Sequence, residues 1–149
     1  MSVILRRLTR DEMSGAAAVH RAAFDDALPW LAGLHTPAED RAFFQGPVFK
    51  TCEVWGAWEM GELNAFIAFR AAWIDHLYVL PARQSRGRGG ALLDVARRDQ
   101  ARVCLWTFQR NAPARRFYER RGFVAVSATD GTRNEEHEPD VLYEWRAAG

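Results

Sequence analysis

Hydrophobic positions along the chain fall into short runs broken by capping and turn residues, and each break predicts an element boundary. Val3 to Leu8 reads as a first strand. In Thr9-Arg10-Asp11-Glu12 a threonine is followed three residues on by glutamate, a capping box that opens a helix to about Phe24. Thr36-Pro37-Ala38-Glu39 repeats the device with proline at the first helical position and starts a helix to about Gln45. Between them, Asp25 to His35 is a loop rich in large apolar groups, Trp30 among them, of the kind that either lines a site or plugs a core.

Cys52 to Trp58 and Leu63 to Arg70 flank the short turn Glu59-Met60-Gly61-Glu62 and read as a hairpin. Trp73 to Leu80 is the next strand, stopped by Pro81. The glycine turn Arg86 to Gly90 leads into a helix from Ala91 to about Gln100. Val103 to Phe108 is nearly all apolar, as expected of a strand buried on both faces. A helix from Pro113 to about Arg121 ends at Gly122, and Phe123 to Val126 and Val141 to Trp145 are the last strands. The order predicts one mixed α/β domain over residues 1–149, a mixed sheet with helices on both faces.

Composition changes this picture little. A chain of 149 residues can bury a real core. Charges or glycines interrupt every apolar run before about 18 residues, so no membrane span is expected. The arginines follow Val3-Ile4-Leu5 where a secretory signal would place them first. Cys52 and Cys104 lie in apolar, strand-like runs and read as reduced core residues, which makes a cytoplasmic location the expectation. Neither they nor His20, His35 and His137 show metal-ligand spacing, so no metal is expected.

Charge changes it more. The net charge is +1, but from Arg83 to Arg121 eleven arginines face only Asp94, Asp99 and Glu119. From Asp130 to Asp140 five acids face Arg133 alone. Each is either a solvated face or a binding surface, and the basic block coincides with a glycine turn.

That turn is Pro81-Ala82-Arg83-Gln84-Ser85-Arg86-Gly87-Arg88-Gly89-Gly90, between a strand and a helix. The first turn of a helix leaves N–H groups unpaired at the positive end of its dipole, and glycines let backbone approach an anion. Arg83, Arg86 and Arg88 add fork-shaped donors. No Lys-Ser/Thr ends the turn, against a Walker-type loop, and Leu92 stands where a dinucleotide fingerprint needs its third glycine. A tight strand-to-helix connection without a ligand is the plain alternative.

A second segment, Asn111-Ala112-Pro113-Ala114-Arg115-Arg116-Phe117-Tyr118-Glu119-Arg120-Arg121-Gly122-Phe123, follows the Val103 strand. With Gln84-x-x-Gly87-x-Gly89 before it, the sequence resembles the GNAT N-acetyltransferase superfamily, in which the two segments occur in this order and at this separation. The strong motifs cover Trp73 to Phe123. The resemblance implies a GNAT-type acyl-CoA N-acyltransferase fold, a mostly antiparallel sheet of about seven strands flanked by about four helices. It implies acetyl-CoA as co-substrate, with amides around Gln84, Ser85, Arg86, Gly87, Gly89 and Gly90 on its pyrophosphate. Leu77, Tyr78 and Val79 would contact the pantetheine arm, where the Trp73 and Val103 strands splay apart. Asn111 would bond that arm or position the following helix, with Ala114 and Phe117 packing beside CoA. Tyr118 would protonate the departing thiolate, a task suited to a phenol of pKa near 10. An ordinary aromatic core pair is the alternative for Phe117 and Tyr118. Ser85 replaces a glycine common in the family, and Arg88 replaces an apolar residue and either reaches the 3′-phosphate or points to solvent.

Acetyl transfer needs a neutral amine, hence a group that takes its proton. Asp75 and His76 on the Trp73 strand are the candidates, Asp75 first because it shares a face with Leu77 and Val79; both also read as structural residues. Glu135 and Glu136, in the acidic stretch before the last strand, are candidates for a cationic amine or belong to a solvated turn, and Trp30 is a third acceptor contact. A primary amine of a small molecule, in a ternary complex, is the expected acceptor. The alternatives are a protein amine, a longer acyl group, or a non-catalytic acyl-CoA sensor. Nucleic acid is not expected, because the arginines cluster on one glycine turn without interleaved exposed aromatics. The family commonly dimerises, so a homodimer is the expectation, although no interface signature is present.

Overall fold

The structure is a computed structural model, and it describes residues 2–148. It has two compact units, Met1–Arg70 with Ile74–Arg98, and Ala71–Trp73 with Asp99–Gly149.

In the first unit, β1 (Ile4–Arg7), β2 (Glu53–Glu59), β3 (Glu62–Arg70) and β4 (Trp73–Val79, whose first residue belongs to the other unit) are neighbours in that order. β1 and β3 run antiparallel to β2, with a bulge between Ala57 and Trp58. Met60 and Gly61 close the predicted hairpin with φ of 52° and 77°, the left-handed pair that a tight two-residue turn requires. A Cβ on Gly56 would lie 2.5 Å from Leu63 Cδ1 and 2.7 Å from Leu8 Cδ1, so a side chain there would require those leucine ends to move. Phe66 and Ala68 of β3 share one core with Met13, Ala16, Ala17 and Val19 of helix α1 (Met13–Ala27), and helix α4 (Arg88–Arg97) packs on β2 and β3.

The first capping box forms, Thr9 N–H donating to Glu12 Oε1 at 2.9 Å and Glu12 N–H to Thr9 Oγ1 at 3.4 Å. It shapes a turn before α1, which begins at Met13 and runs three residues beyond the predicted end, because nothing interrupts it before Pro29. The second box forms as predicted on Thr36 and Glu39 and opens α2 (Pro37–Phe43). Gly46-Pro47 then breaks the regular ladder, and the chain passes through a π-helical segment, Phe44–Val48, into the single turn α3 (Phe49–Thr51). Cys52 therefore ends a helical turn rather than sitting in a strand.

In the second unit, β5 (Arg102–Phe108), β7 (Asp140–Arg146) and β6 (Val124–Thr129) pair antiparallel in that order, and α5 (Ala112–Glu119) connects β5 to β6. Trp73 pairs parallel with Cys104, whose N–H donates to Ala72 O at 2.8 Å. The centre of β5, Val103 to Leu105, is buried, but Trp106 is 47% exposed, which corrects the expectation of a strand covered on both faces. β6 reaches Thr129, three residues past its predicted end, and is exposed throughout. Among the described residues, with seven strands in the sheet and four helices of seven residues or more (α1, α2, α4, α5), the architecture is the mixed α/β fold that the sequence predicts.

Candidate active site

The glycine turn is built from its two ends inward. At the entry, Leu80 N–H donates to Asn64 O at 2.8 Å, and a 3-10 turn, Pro81–Arg83, follows. Gln84 folds back so that its side-chain amide donates to Val79 O at 3.2 Å. Ser85 then takes φ 65° and Gly87 φ 84°, left-handed conformations that reverse the chain into α4. Open space surrounds the ideal Cβ of Gly87, so backbone conformation and not crowding demands glycine there.

The helix starts at Arg88, three residues before the predicted Ala91, which places Gly89 and Gly90 inside its first turn. Gly87 is the cap and no side chain caps the helix. The N–H groups of Arg88, Gly89 and Gly90 thus have no intrahelical acceptor, and the first ladder bond runs from Ala91 N–H to Gly87 O at 3.0 Å. Arg86 is exposed beside them, and Arg83 is half-buried with its Nε unpartnered among the described residues. Orphaned amides at a positive helix end, flanked by guanidinium groups, suit a diphosphate.

Arg88 departs from one of the two expectations for it. It is 6% exposed, its Nη2 lying 3.0 Å from Glu59 Oε2, so it does not point to solvent.

On β4, alternation sorts the two candidate bases. Asp75 accepts from Arg70 through both oxygens, at 2.8 and 3.1 Å, and from the Cys52 thiol at 3.4 Å. His76 and Tyr78 lie together on the α1 side, with the His76 ring 5.0 Å from Phe44 and 6.1 Å from His20, and Tyr78 4.7 Å from His20. The Nδ1 atoms of His20 and His76 are buried and unpartnered among the described residues. Burial pulls His76 down to about 4, with Asp75 opposing it. Burial, then repulsion from His76 and Arg21, pulls His20 to about 3. Leu77 and Val79 are half-buried, and Trp30 sits in a 3-10 turn (Pro29–Leu31) with 47% of its surface exposed.

In the second unit, Asn111 is the cap of α5: its Oδ1 accepts from Ala114 N–H at 3.3 Å. Of the two roles the sequence leaves open for it, this side-chain oxygen performs the positioning one. Tyr118 is 8% exposed, packed edge-on against Phe117 and Phe123 at 5.2 and 5.4 Å, and Phe117 lies under the Arg121 guanidinium at 3.9 Å. Tyr143, fully buried, donates to Glu119 Oε2 at 2.6 Å and accepts from Arg115 Nε at 2.9 Å. Before β7, Glu138 is buried in a bidentate pair with Arg110 at 2.7 Å, and Asn134 bonds both the N–H and the C=O of Glu138. That leaves Glu135 exposed and Glu136 half-buried on the same turn.

The sequence reading did not single out Glu59, Asn64 or His20 as site residues. Glu59 and Asn64 read only as parts of a hairpin, and the meeting of Glu59 with both Arg88 and Asn64 depends on tertiary structure.

Residues 50–125 match the family model described as an acetyltransferase (GNAT) domain. Among solved structures, a GCN5-related N-acetyltransferase from Rhodopseudomonas palustris superposes with a TM-score of 0.80 at 18% identity, over 99% of this chain and 97% of that one. Apo-form YjaB from Escherichia coli gives 0.77, again at 18% identity, over 99% and 100% of the two chains. The PaiA N-acetyltransferase from Thermoplasma acidophilum, in complex with coenzyme A, gives 0.75 at 18% identity with the same coverage. At these identities the likeness is one of fold. No curated protein sequence matches the chain.

Proposed function

We propose that this chain, which belongs to the GNAT acetyltransferase family, transfers the acetyl group of acetyl-CoA to a primary amine of a small molecule within a ternary complex. The observation that supports this best is the uncapped first turn of α4 behind the left-handed Gly87. The amides of Arg88, Gly89 and Gly90 would hold the diphosphate, with Arg83 and Arg86 adding charge. Leu77, Tyr78 and Val79 would offer main-chain groups to the pantetheine arm. Acetyl-CoA supplies an activated thioester, so the protein has to hold it, present a neutral amine and return a proton to the leaving sulfur.

The proton balance requires one group to accept from the amine and another to donate to the thiolate. His76 is the better acceptor, which reverses the order read from sequence. Both Asp75 oxygens are engaged by Arg70, whereas His76 Nδ1 has no partner among the described residues; burial lowers its pKa to about 4, which leaves the ring uncharged at pH 7 and a weaker base than a free imidazole. Tyr118 is the donor that the family resemblance implies. The carboxylates of Glu135 and Glu136 would favour a cationic amine.

Release of CoA thiol from acetyl-CoA, followed across a panel of primary amines, tests the reading. Amine-dependent release that His76→Phe suppresses supports it. Tight acetyl-CoA binding without release for any amine would leave a sensor instead.

A further inference from the structure

We propose that the buried Glu59–Arg88 pair, with Asn64, is a positioning element for the acyl-CoA loop, pinning both of its ends to the β2–β3 hairpin. The inference rests on the acyl-CoA reading of that loop. Arg88 is an odd residue for its place: a cation at the positive end of a helix dipole, buried to 6% exposure. Glu59 compensates it at 3.0 Å, and Asn64, 1% exposed, donates its side-chain amide to the other Glu59 oxygen at 3.4 Å. The same Asn64 holds the entry of the loop, because its carbonyl accepts Leu80 N–H at 2.8 Å.

Residues 81–87 are thus strung between two anchors that converge on one hairpin. They include two left-handed residues, Gly87, which adopts that conformation freely, and Ser85, which persists there only where the surroundings fix it. Glu59 carries a negative charge and would repel a phosphate, so its contribution to binding acts through Arg88 and the helix start. Arg88, its Nε buried and unpartnered among the described residues, is likewise committed beneath the loop.

Calorimetric titration with CoA and with 3′-dephospho-CoA separates this role from direct phosphate contact. Glu59→Gln and Arg88→Met should each weaken both ligands alike, by about tenfold, the scale of one lost charge-assisted bond. The double variant Glu59→Gln/Arg88→Met, which leaves no uncompensated charge, should fold and show a loss no greater than either single change. A loss confined to CoA, absent for 3′-dephospho-CoA, would make Arg88 a 3′-phosphate ligand and overturn the proposal. Lowered melting temperature with unchanged affinity would overturn it too, since a merely structural pair has that signature. Failure of the wild type to bind either ligand would instead remove the acyl-CoA reading itself.

Discussion

The rings of His20 and His76 meet edge to face with centroids 6.1 Å apart, and each buries an Nδ1 that has no hydrogen-bond partner among the described residues. Two neutral imidazoles, His20 on α1 and His76 on β4, packed against each other make stability depend on pH. Each has a folded pKa, about 3 and about 4, below the ordinary histidine value, so the unfolded chain binds more protons between those limits. Stability should therefore fall as pH drops below about 6.5, by up to about 1.4 kcal/mol per pH unit for each histidine. Urea midpoints from pH 8 to pH 5 check this, and His20→Phe should reduce the slope. Carboxylates such as Glu12, lowered to about 2 chiefly by its bond to Arg6, add their loss only further into acid.

The choice of proton acceptor predicts a division between two neighbouring residues. His76→Phe should lower kcat by about 10²–10⁴ and leave acetyl-CoA affinity unchanged. Asp75→Asn should leave kcat nearly unchanged and cost less than about 1 kcal/mol, because the Arg70–Asp75 pair is largely exposed. Steady-state kinetics on both variants decide the matter, and a large kcat loss in Asp75→Asn alone would restore the order read from sequence. The acid limb of the wild-type rate profile should lie nearer pH 4 than 6.5, as burial dictates.

Ser85 occupies a left-handed position at φ 65°. Ser85→Gly should raise stability by about 0.5–1 kcal/mol, the relieved strain less the greater freedom of the unfolded glycine. Gly87→Ala, at φ 84° with open space around its Cβ, should lower it by about 1 kcal/mol. Thermal unfolding of both variants measures the pair.

Asn111→Ala removes the only side-chain cap of α5 among the described residues and should cost about 1 kcal/mol. If the amide also bonded the pantetheine arm, acetyl-CoA affinity would fall as well; the capping geometry predicts that it does not.

Local chemistry made much of this legible in the sequence. Both capping boxes form on the threonine–glutamate pairs that announce them, the Met60-Gly61 hairpin closes as read, and Gly122, at φ 90°, stops α5. Boundaries shifted where a single residue outweighed the pattern. α4 begins at Arg88 behind Gly87 rather than at Ala91, and α1 runs on to Ala27, ahead of Pro29, rather than ending near Phe24. What stayed hidden was long-range: Arg88 looked like a ligand contact because its charge sits in a glycine turn, and the acid that buries it comes from a hairpin 29 residues earlier. Asp75 reads as the first candidate base on its shared face with Leu77 and Val79, and the alternation of a strand does not say that Arg70 and Cys52 both reach its carboxylate.

The most direct test of the central claim follows the backbone ¹⁵N resonances of the α4 entrance as acetyl-CoA is added. The largest shifts are expected at the amides of Arg88, Gly89 and Gly90, saturating with acetyl-CoA and reproduced by CoA, and lost in Gly87→Glu. Saturable binding that leaves those three amides unmoved would contradict it and place the anion site elsewhere in the chain.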